Sequence, residues 1–345
     1  MSEAAAIFGC QGPSLSPGES AFFRDCNPWA FILFSRNIET PDQVRKLCAD
    51  LRSSVGRNAL IFVDQEGGRV QRLKPPHWRK MPSARIFGDL YRESEGAALR
   101  ATWLNYRLIA DELRSVGISA NCAPVLDLPV DGADPIISDR AFSQGSEITT
   151  ITLANACMSG LMAGGVLPVI KHIPGHGRAT VDSHKELPVI YEPLDKLNAT
   201  DFGPFKAFND APAAMTAHVV LKRVDPDNPV TMSKTAMASV VRENIGYQGL
   251  VMTDDLDMKA LKGDLTYLTQ ASLKAGCDVV LQCSGKLPAM VKVAKGLGKL
   301  RGKSLERARI SENVCDYVES FDAHAGYAEY QDIMKTSDRF AETFV

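Results

Sequence analysis

The sequence predicts an α/β fold, a single-domain TIM (β/α)8 barrel over residues 1–345, with room for one irregular strand. Three observations predict it: eight short runs rich in Val, Ile, Leu and Phe, stretches of helical periodicity between them, and no interior Pro/Gly/Ser-rich linker to break the pattern. Short apolar runs that do not alternate with polar residues suit strands buried on both faces, and parallel strands need a helix crossing back between them. At roughly 150 residues per domain the length allows two domains, but α/β barrels commonly use it as one.

In chain order, strands are expected at residues 5–9, 31–34, 60–63, 118–122, 167–170, 213–217, 250–253 and 279–282. The run at 5–9 decides between eight strands and seven, and seven would leave the barrel unclosed. Helices are expected at 41–53 behind Thr40, at 93–115, at 147–163, at 194–209, at 234–244 behind Ser233 and at 267–275. A hydroxyl at the N-cap accepts one of the free N–H groups of a first helical turn, which favours Thr40 and Ser233 there. Gly56, Gly117, Gly164, Gly246 and Gly276 precede the next strand, where a left-handed residue ends a helix without steric penalty. A helical segment from about 304 to 320 and a less regular tail complete the chain.

Hydrophobic residues make up 45% and charged residues 23%, which excludes a disordered chain. With 39 basic and 41 acidic residues the formal charge is −2, so nothing global draws the chain to nucleic acid or an anionic membrane. Residues 1–12 carry no basic segment followed by an apolar core, and no run approaches about 18 apolar residues, so a cytoplasmic protein without a membrane span is expected. Cys10, Cys26, Cys48, Cys122, Cys157, Cys277, Cys283 and Cys315 have neither disulfide density nor zinc spacing and read as buried thiols. The sequon Asn198-Ala199-Thr200 reads as a chance match. A monomer is expected.

In a barrel the loops after the strands carry the chemistry. Asp64-Gln65-Glu66-Gly67-Gly68-Arg69-Val70-Gln71-Arg72 follows the third strand, Lys171-His172-Ile173-Pro174-Gly175-His176-Gly177-Arg178 the fifth, His218 the sixth, and Asp254 and Asp255 the seventh. One Asp after a strand is commonly a turn or cap residue, and Asp255 and Asp257 are read that way. Charged groups at four strand ends outweigh that reading. Pro174, Gly175 and Gly177 forbid a helix, so His172 and His176 are no helical zinc pair, and no phosphate-binding loop pattern is present. Asp182-Ser183-His184 sets a carboxylate two residues from an imidazole, a pairing that in isolation is better read as a solvated loop contact.

These strings, with Met252-Thr253-Asp254-Asp255-Leu256-Asp257-Met258, resemble the family 3 glycoside hydrolases, and among them the bacterial cytosolic β-N-acetylhexosaminidases of peptidoglycan recycling. The resemblance runs in matching order over residues 31–283. It implies a retaining enzyme with Asp254 as nucleophile and His184, partnered by Asp182, as acid/base. It places sugar-binding positions on Asp64, Arg72, Arg140, Lys171 and His172. Ile173 stands where Phe is common in the family, and Arg178 where Asp often stands.

Retention needs a nucleophile beneath the ring and a proton donor beside the leaving oxygen. Histidine, with an ordinary pKa of about 6.5, supplies a proton near neutrality without a buried neutral carboxyl. From composition alone Glu66 or Asp182 could be nominated as the acid instead, and Glu66 or Asp255 is next in line should His184 only shape its loop. Residues 177–181 precede the dyad, so the loop is expected to swing and close on substrate. Lys171, Arg72 and Arg140 either bind sugar hydroxyls or merely hold the barrel mouth in ion pairs. Trp78 and Phe142 are the candidates for stacking a second sugar. The expected activity is release of N-acetylglucosamine from GlcNAc-1,6-anhydroMurNAc saccharides and muropeptides, with no cofactor and no metal. The alternatives are a related β-glycosidase, a glycoside phosphorylase, a metal-dependent barrel hydrolase using His172, His176 and Asp254, or a sugar-binding protein without turnover.

Overall fold

The computed structural model describes residues 3–335. Its main sheet holds β1 (Ala4–Gly9), β2 (Pro28–Leu33), β3 (Leu60–Val63), β4 (Ala120–Asn121), β5 (Leu167–Pro168 continuing as Ile170–Ile173), β6 (Ala213–Thr216), β7 (Leu250–Asp255) and β8 (Val279–Gln282). Every ladder is parallel. The two pieces of β5 stand at the two ends of the sheet, the first paired with β4 and the second with β6. Only Val169 separates them, so the sheet closes on itself. Lys171 N donates to Pro124 O at 3.1 Å and Leu126 N to Lys171 O at 2.7 Å, extending the seam beyond β4. All eight expected strands are present in order, including the run at 5–9.

Strands of this kind point alternate residues inward, and Ile7, Ile32, Phe62, Val169, Met215 and Leu281 belong to the cluster that fills the barrel. Their sequence neighbours face the surrounding helices in a second, larger cluster. At the N-terminal ends of the strands the helix Gly302–Asn313 covers the opening. Its Glu312 accepts from Trp29 Nε1 at 2.7 Å, Ser311 Oγ donates to Pro212 O at 3.0 Å, and Arg307 and Arg309 pair with Asp278 and Glu3.

The helices depart from expectation where side chains compete with the periodicity. Thr40 and Ser233 cap as expected, Thr40 Oγ1 at 3.3 Å from Gln43 N and Ser233 Oγ at 3.0 Å from Ala236 N. The stretch expected at 93–115 is the end of Ala84–Glu93 followed by Glu95–Ser115, with Ser94 ending one helix and capping the next. The stretch at 194–209 breaks into Leu194–Asn198 and Gly203–Ala207. Thr200 and Asp201 turn toward Arg178, and Pro204, which lacks an N–H, starts the second piece within its first turn. The helix begun at Lys234 widens into i→i+5 bonding over Met237–Asn244. Gly164 is not left-handed; Gly165, one residue on, is, at φ 67°. The segment at 304–320 is helical only to Asn313 and then runs through a short turn, Val314–Asp316. Its backbone bonds instead to the flanking helices: Glu319 N donates to Ala163 O at 2.8 Å and Arg107 to Glu319 O at 2.9 Å. Pro17–Cys26, Leu287–Gly296 and Ala323–Lys335 are helices the sequence pattern did not disclose, and residues 336–345 of the expected tail lie outside those described.

Candidate active site

A cavity of about 460 Å³ opens at the C-terminal ends of the strands. Asp64, Arg72, Arg140, Lys171, His172, His184 and Asp254 all line it, and Asp182 stands behind His184. Lys171 and His172 do not follow the fifth strand, as the periodicity suggested. They belong to it, so β5 itself directs Lys171 inward, where its side chain is only 2% exposed.

Lys171 Nζ lies 2.9 Å from Asp64 Oδ1 and 2.6 Å from Glu66 Oε1. Arg72 reaches Asp64 Oδ2 at 3.2 Å, and Arg140 forms two 2.8 Å bonds to Glu66 through Nε and Nη2. Two carboxylates thus bridge three cations on one wall. Burial alone would raise both acids, but the adjacent cations outweigh it: Lys171 and Arg72 hold Asp64 far below the carboxylate range, and Arg140 and Lys171 bring Glu66 to about 2. Glu66 therefore has no proton to give near neutrality and is removed as a candidate acid. Burial works against the charge on Lys171 too, yet Asp64 and Glu66 raise its pKa.

Asp254 ends β7 and accepts the backbone N–H of Asp255 at 2.8 Å. Burial pushes its carboxyl up, and His218 and His172, with that N–H, overcome the push and keep it below its ordinary value. His218 is itself fixed: Nδ1 lies 2.7 Å from Thr231 Oγ1, and Nε2 donates to Asp255 O at 3.1 Å. Asp255 differs from its neighbour. Burial pushes its carboxyl up to about 7, against the N–H groups of Asp257 and Cys283 at 3.1 and 3.0 Å. More than a cap, it ties the end of β7 to the end of β8.

Across the cavity Asp182 Oδ1 accepts both the backbone N–H of His184 and a bond at Nδ1, each at 2.9 Å. Asp182 is lowered by these bonds despite burial. The imidazole is 61% exposed and faces the cavity. In this structure the ring stands at the cavity that Asp254 also lines. Gly177 packs so tightly on Leu128 that a Cβ would lie 2.1 Å from the Leu128 carbonyl oxygen, while Val130 N and Asp134 N donate to Gly177 O and Ala179 O. Arg178 anchors the next step, its guanidinium bonded to Asp201 at 2.6–3.0 Å and to Glu192 at 3.2 Å.

Sequence reasoning missed Asp127. Fully buried, it bonds His172 Nδ1 at 2.6 Å and accepts the backbone N–H groups of His172 and His176 at 3.3 and 2.7 Å. It lies just past β4 as the other polar groups lie past their strands, but in an apolar, proline-rich run, Cys122-Ala123-Pro124-Val125-Leu126-Asp127-Leu128-Pro129, that hides it. Trp78 and Phe142 are buried away from the cavity, so neither can stack on a sugar; Phe34 is the ring on its wall, with Arg36 and Arg72 over its face. The eight cysteines are free thiols, five of them buried and Cys26, Cys283 and Cys315 half-buried. With His172 committed to Asp127 and His176 to Ser183, no group of three His, Cys, Asp or Glu among the described residues is placed to hold a metal ion.

The family model described as "Glycosyl hydrolase family 3 N terminal domain" matches residues 26–315. A β-hexosaminidase of Xanthomonas axonopodis pv. citri is 36% identical over 308 residues, 88% of this chain and 89% of its own. One from Methylococcus capsulatus is 38% identical over 284 residues, 81% and 82% of the two chains. The crystal structure of native NagZ from Neisseria gonorrhoeae superposes with a TM-score of 0.84 at 29% identity, covering 96% of this chain and 98% of that one. The same protein in complex with N-trifluoroacetyl-D-glucosamine also gives 0.84 at 29%, covering 100% and 99%. With a family model that matches it from β2 to the sealing helix and relatives of 36–38% identity over most of its length, this chain belongs to glycosyl hydrolase family 3 and is a glycoside hydrolase resembling the NagZ β-hexosaminidases.

Proposed function

We propose that this hydrolase is a retaining β-N-acetylglucosaminidase that removes terminal GlcNAc from GlcNAc-1,6-anhydroMurNAc saccharides and muropeptides. The observation that carries the reading is a single cavity faced by the Asp254 carboxylate and by a His184 ring whose Nδ1 is held by Asp182. Asp254, kept ionised, attacks the anomeric carbon while His184 Nε2 gives a proton to the departing glycosidic oxygen. In the second step the neutral imidazole takes a proton from water as that water's oxygen displaces the Asp254 carboxylate.

Asp64, Arg72, Lys171, Arg140 and His172 bind the hydroxyls and amide of the non-reducing sugar. Their mutual ion pairs preorganise them, so the two readings of these charges, sugar binding and holding the barrel mouth, describe one network. An N-acylated glucosamine suits the site because a structural neighbour was solved with N-trifluoroacetyl-D-glucosamine. Arg36 and Arg69 on the cavity wall suit the acidic aglycone of a muropeptide. Peptidoglycan recycling in the cytoplasm, by one chain with one domain acting as a monomer, completes the proposal.

A slow fluoro-glycoside tests it: peptide mapping should find the label on Asp254, and Asp254→Asn should fold normally with almost no turnover. A label on another carboxylate would end this assignment. A second reading has Asp255 as the acid, since a carboxyl near 7 is well matched to proton transfer. On that reading Asp255→Asn, rather than His184→Ala, would remove the basic limb of the pH profile.

A further inference from the structure

His176 has no part in the reaction just described, yet it is buried beside the acid/base loop with its Nε2 3.1 Å from Ser183 Oγ, the hydroxyl between Asp182 and His184. We propose that His176 is the positioning residue of the acid/base loop, holding the Asp182-Ser183-His184 turn against the barrel through Ser183. The inference rests on the assignment of His184 as acid/base.

Three features of the geometry support it. The backbone of His176 is fixed independently, its N–H donating to the fully buried Asp127 at 2.7 Å, so the ring is a rigid post. Asp127 also holds His172 Nδ1 at 2.6 Å, so the post shares its base with a residue of the sugar-facing wall. And the ring has a defined donor. Burial pushes its pKa down to about 4, so it is neutral, and Nδ1 is buried with no hydrogen-bond partner among the described residues. A proton on Nδ1 would be a buried donor without an acceptor, whereas on Nε2 it meets Ser183 Oγ. The ring therefore donates to Ser183. The loop beyond needs such an anchor: Lys185 and Glu186 are exposed, and the turn's own bonds, Asp182 to His184 and Lys185, are all local.

A role limited to packing predicts a loss of stability, with equal losses on all substrates. Positioning of the acid predicts a loss that grows with the need for protonation. The test uses His176→Phe, Ser183→Ala, their double variant, His176→Gln and His184→Ala, each assayed on a dinitrophenyl N-acetylglucosaminide and on a disaccharide. His176→Phe and Ser183→Ala should each lose roughly tenfold or more in kcat on the disaccharide but little on the aryl substrate. The double variant should lose no more than either single one, because both remove the same bond. His176→Gln, whose amide can donate from nearly the same place, should recover much of the disaccharide rate. Ser183→Ala, a small deletion, keeps the test open if His176→Phe does not fold. Equal losses on both substrates, or additive losses in the double variant, alongside a selective loss in His184→Ala, would overturn the inference and spare the assignment of His184. A non-selective His184→Ala would overturn both.

Discussion

His184 is largely exposed while Asp182, which holds it, is buried, and that asymmetry suits a group that must reach a leaving oxygen yet keep one orientation. If His184 protonates that oxygen, its removal matters in proportion to the basicity of the leaving group. His184→Ala should cleave a dinitrophenyl glycoside far better than a disaccharide, and the basic limb of kcat/KM for the disaccharide should flatten. Asp182→Asn should show the same trend more mildly; equal losses on both substrates would show that the ring only shapes the loop. At Asp64 the expected effect is on binding and catalysis together. A buried charge-assisted bond is worth about 1.5–3 kcal/mol, so Asp64→Ala should lower kcat/KM by roughly one to two decades. Unchanged kinetics would take Asp64 out of the sugar site. Residues of this sort were legible in sequence because Asp64 stands at a strand end and all three lie in strings that follow strands in a specific order. Phe34 was not, since one aromatic at the end of an apolar run carries no mark of facing a cavity while Trp78 and Phe142 face the core.

Between residues and fold lie the elements, and there the sequence read strands better than helices. Strand positions were legible because burial on both faces leaves uninterrupted apolar runs. Helix limits were not, where one side chain outweighs many turns: Ser94 caps, Pro204 restarts, and Arg178 draws Asp201 out of register. Arg178→Ala should destabilise the protein by about 3–5 kcal/mol, since it leaves the buried Asp201 carboxylate without its cation. Denaturant unfolding with no change in midpoint would show that the pair is dispensable. Glu66 links the end of β3 to β5 through Lys171 and to residue 140 through Arg140. Its folded pKa, about 2, lies below its ordinary 4.5, so its contribution is present above about pH 4.5 and disappears as the pH falls toward 2. Glu66→Gln should therefore be much less stable than the wild type at pH 7, and the gap should narrow steadily below pH 4.5. A gap independent of pH would mean that the loss comes from shape and not from charge.

On the scale of the whole molecule, the barrel keeps the chemistry and the seal of its floor at opposite ends of the strands. β5 closes the sheet by pairing on both sides, and the same strand carries Lys171 and His172 at its C-terminal end, so closure and site construction share one element. The opposite end is sealed by Gly302–Asn313, whose Ala308 is fully buried in the cluster that fills the barrel. No motif announced this seal, because its polar contacts to Asp278, Pro212 and Trp29 join residues far apart in sequence. The separation is testable. Ala308→Asp forces an unpaired carboxylate into the barrel floor and should remove several kcal/mol of stability, lowering the melting temperature by roughly 2–4 °C or less per kcal/mol in a chain of this size. The cavity residues stand at the other ends of the strands, so below its melting temperature the variant should keep its kcat/KM and its pH profile. A variant that melts normally but hydrolyses poorly would show that the floor and the mouth are coupled through the strands, and the sealing helix would then belong to the working enzyme as well as to its fold.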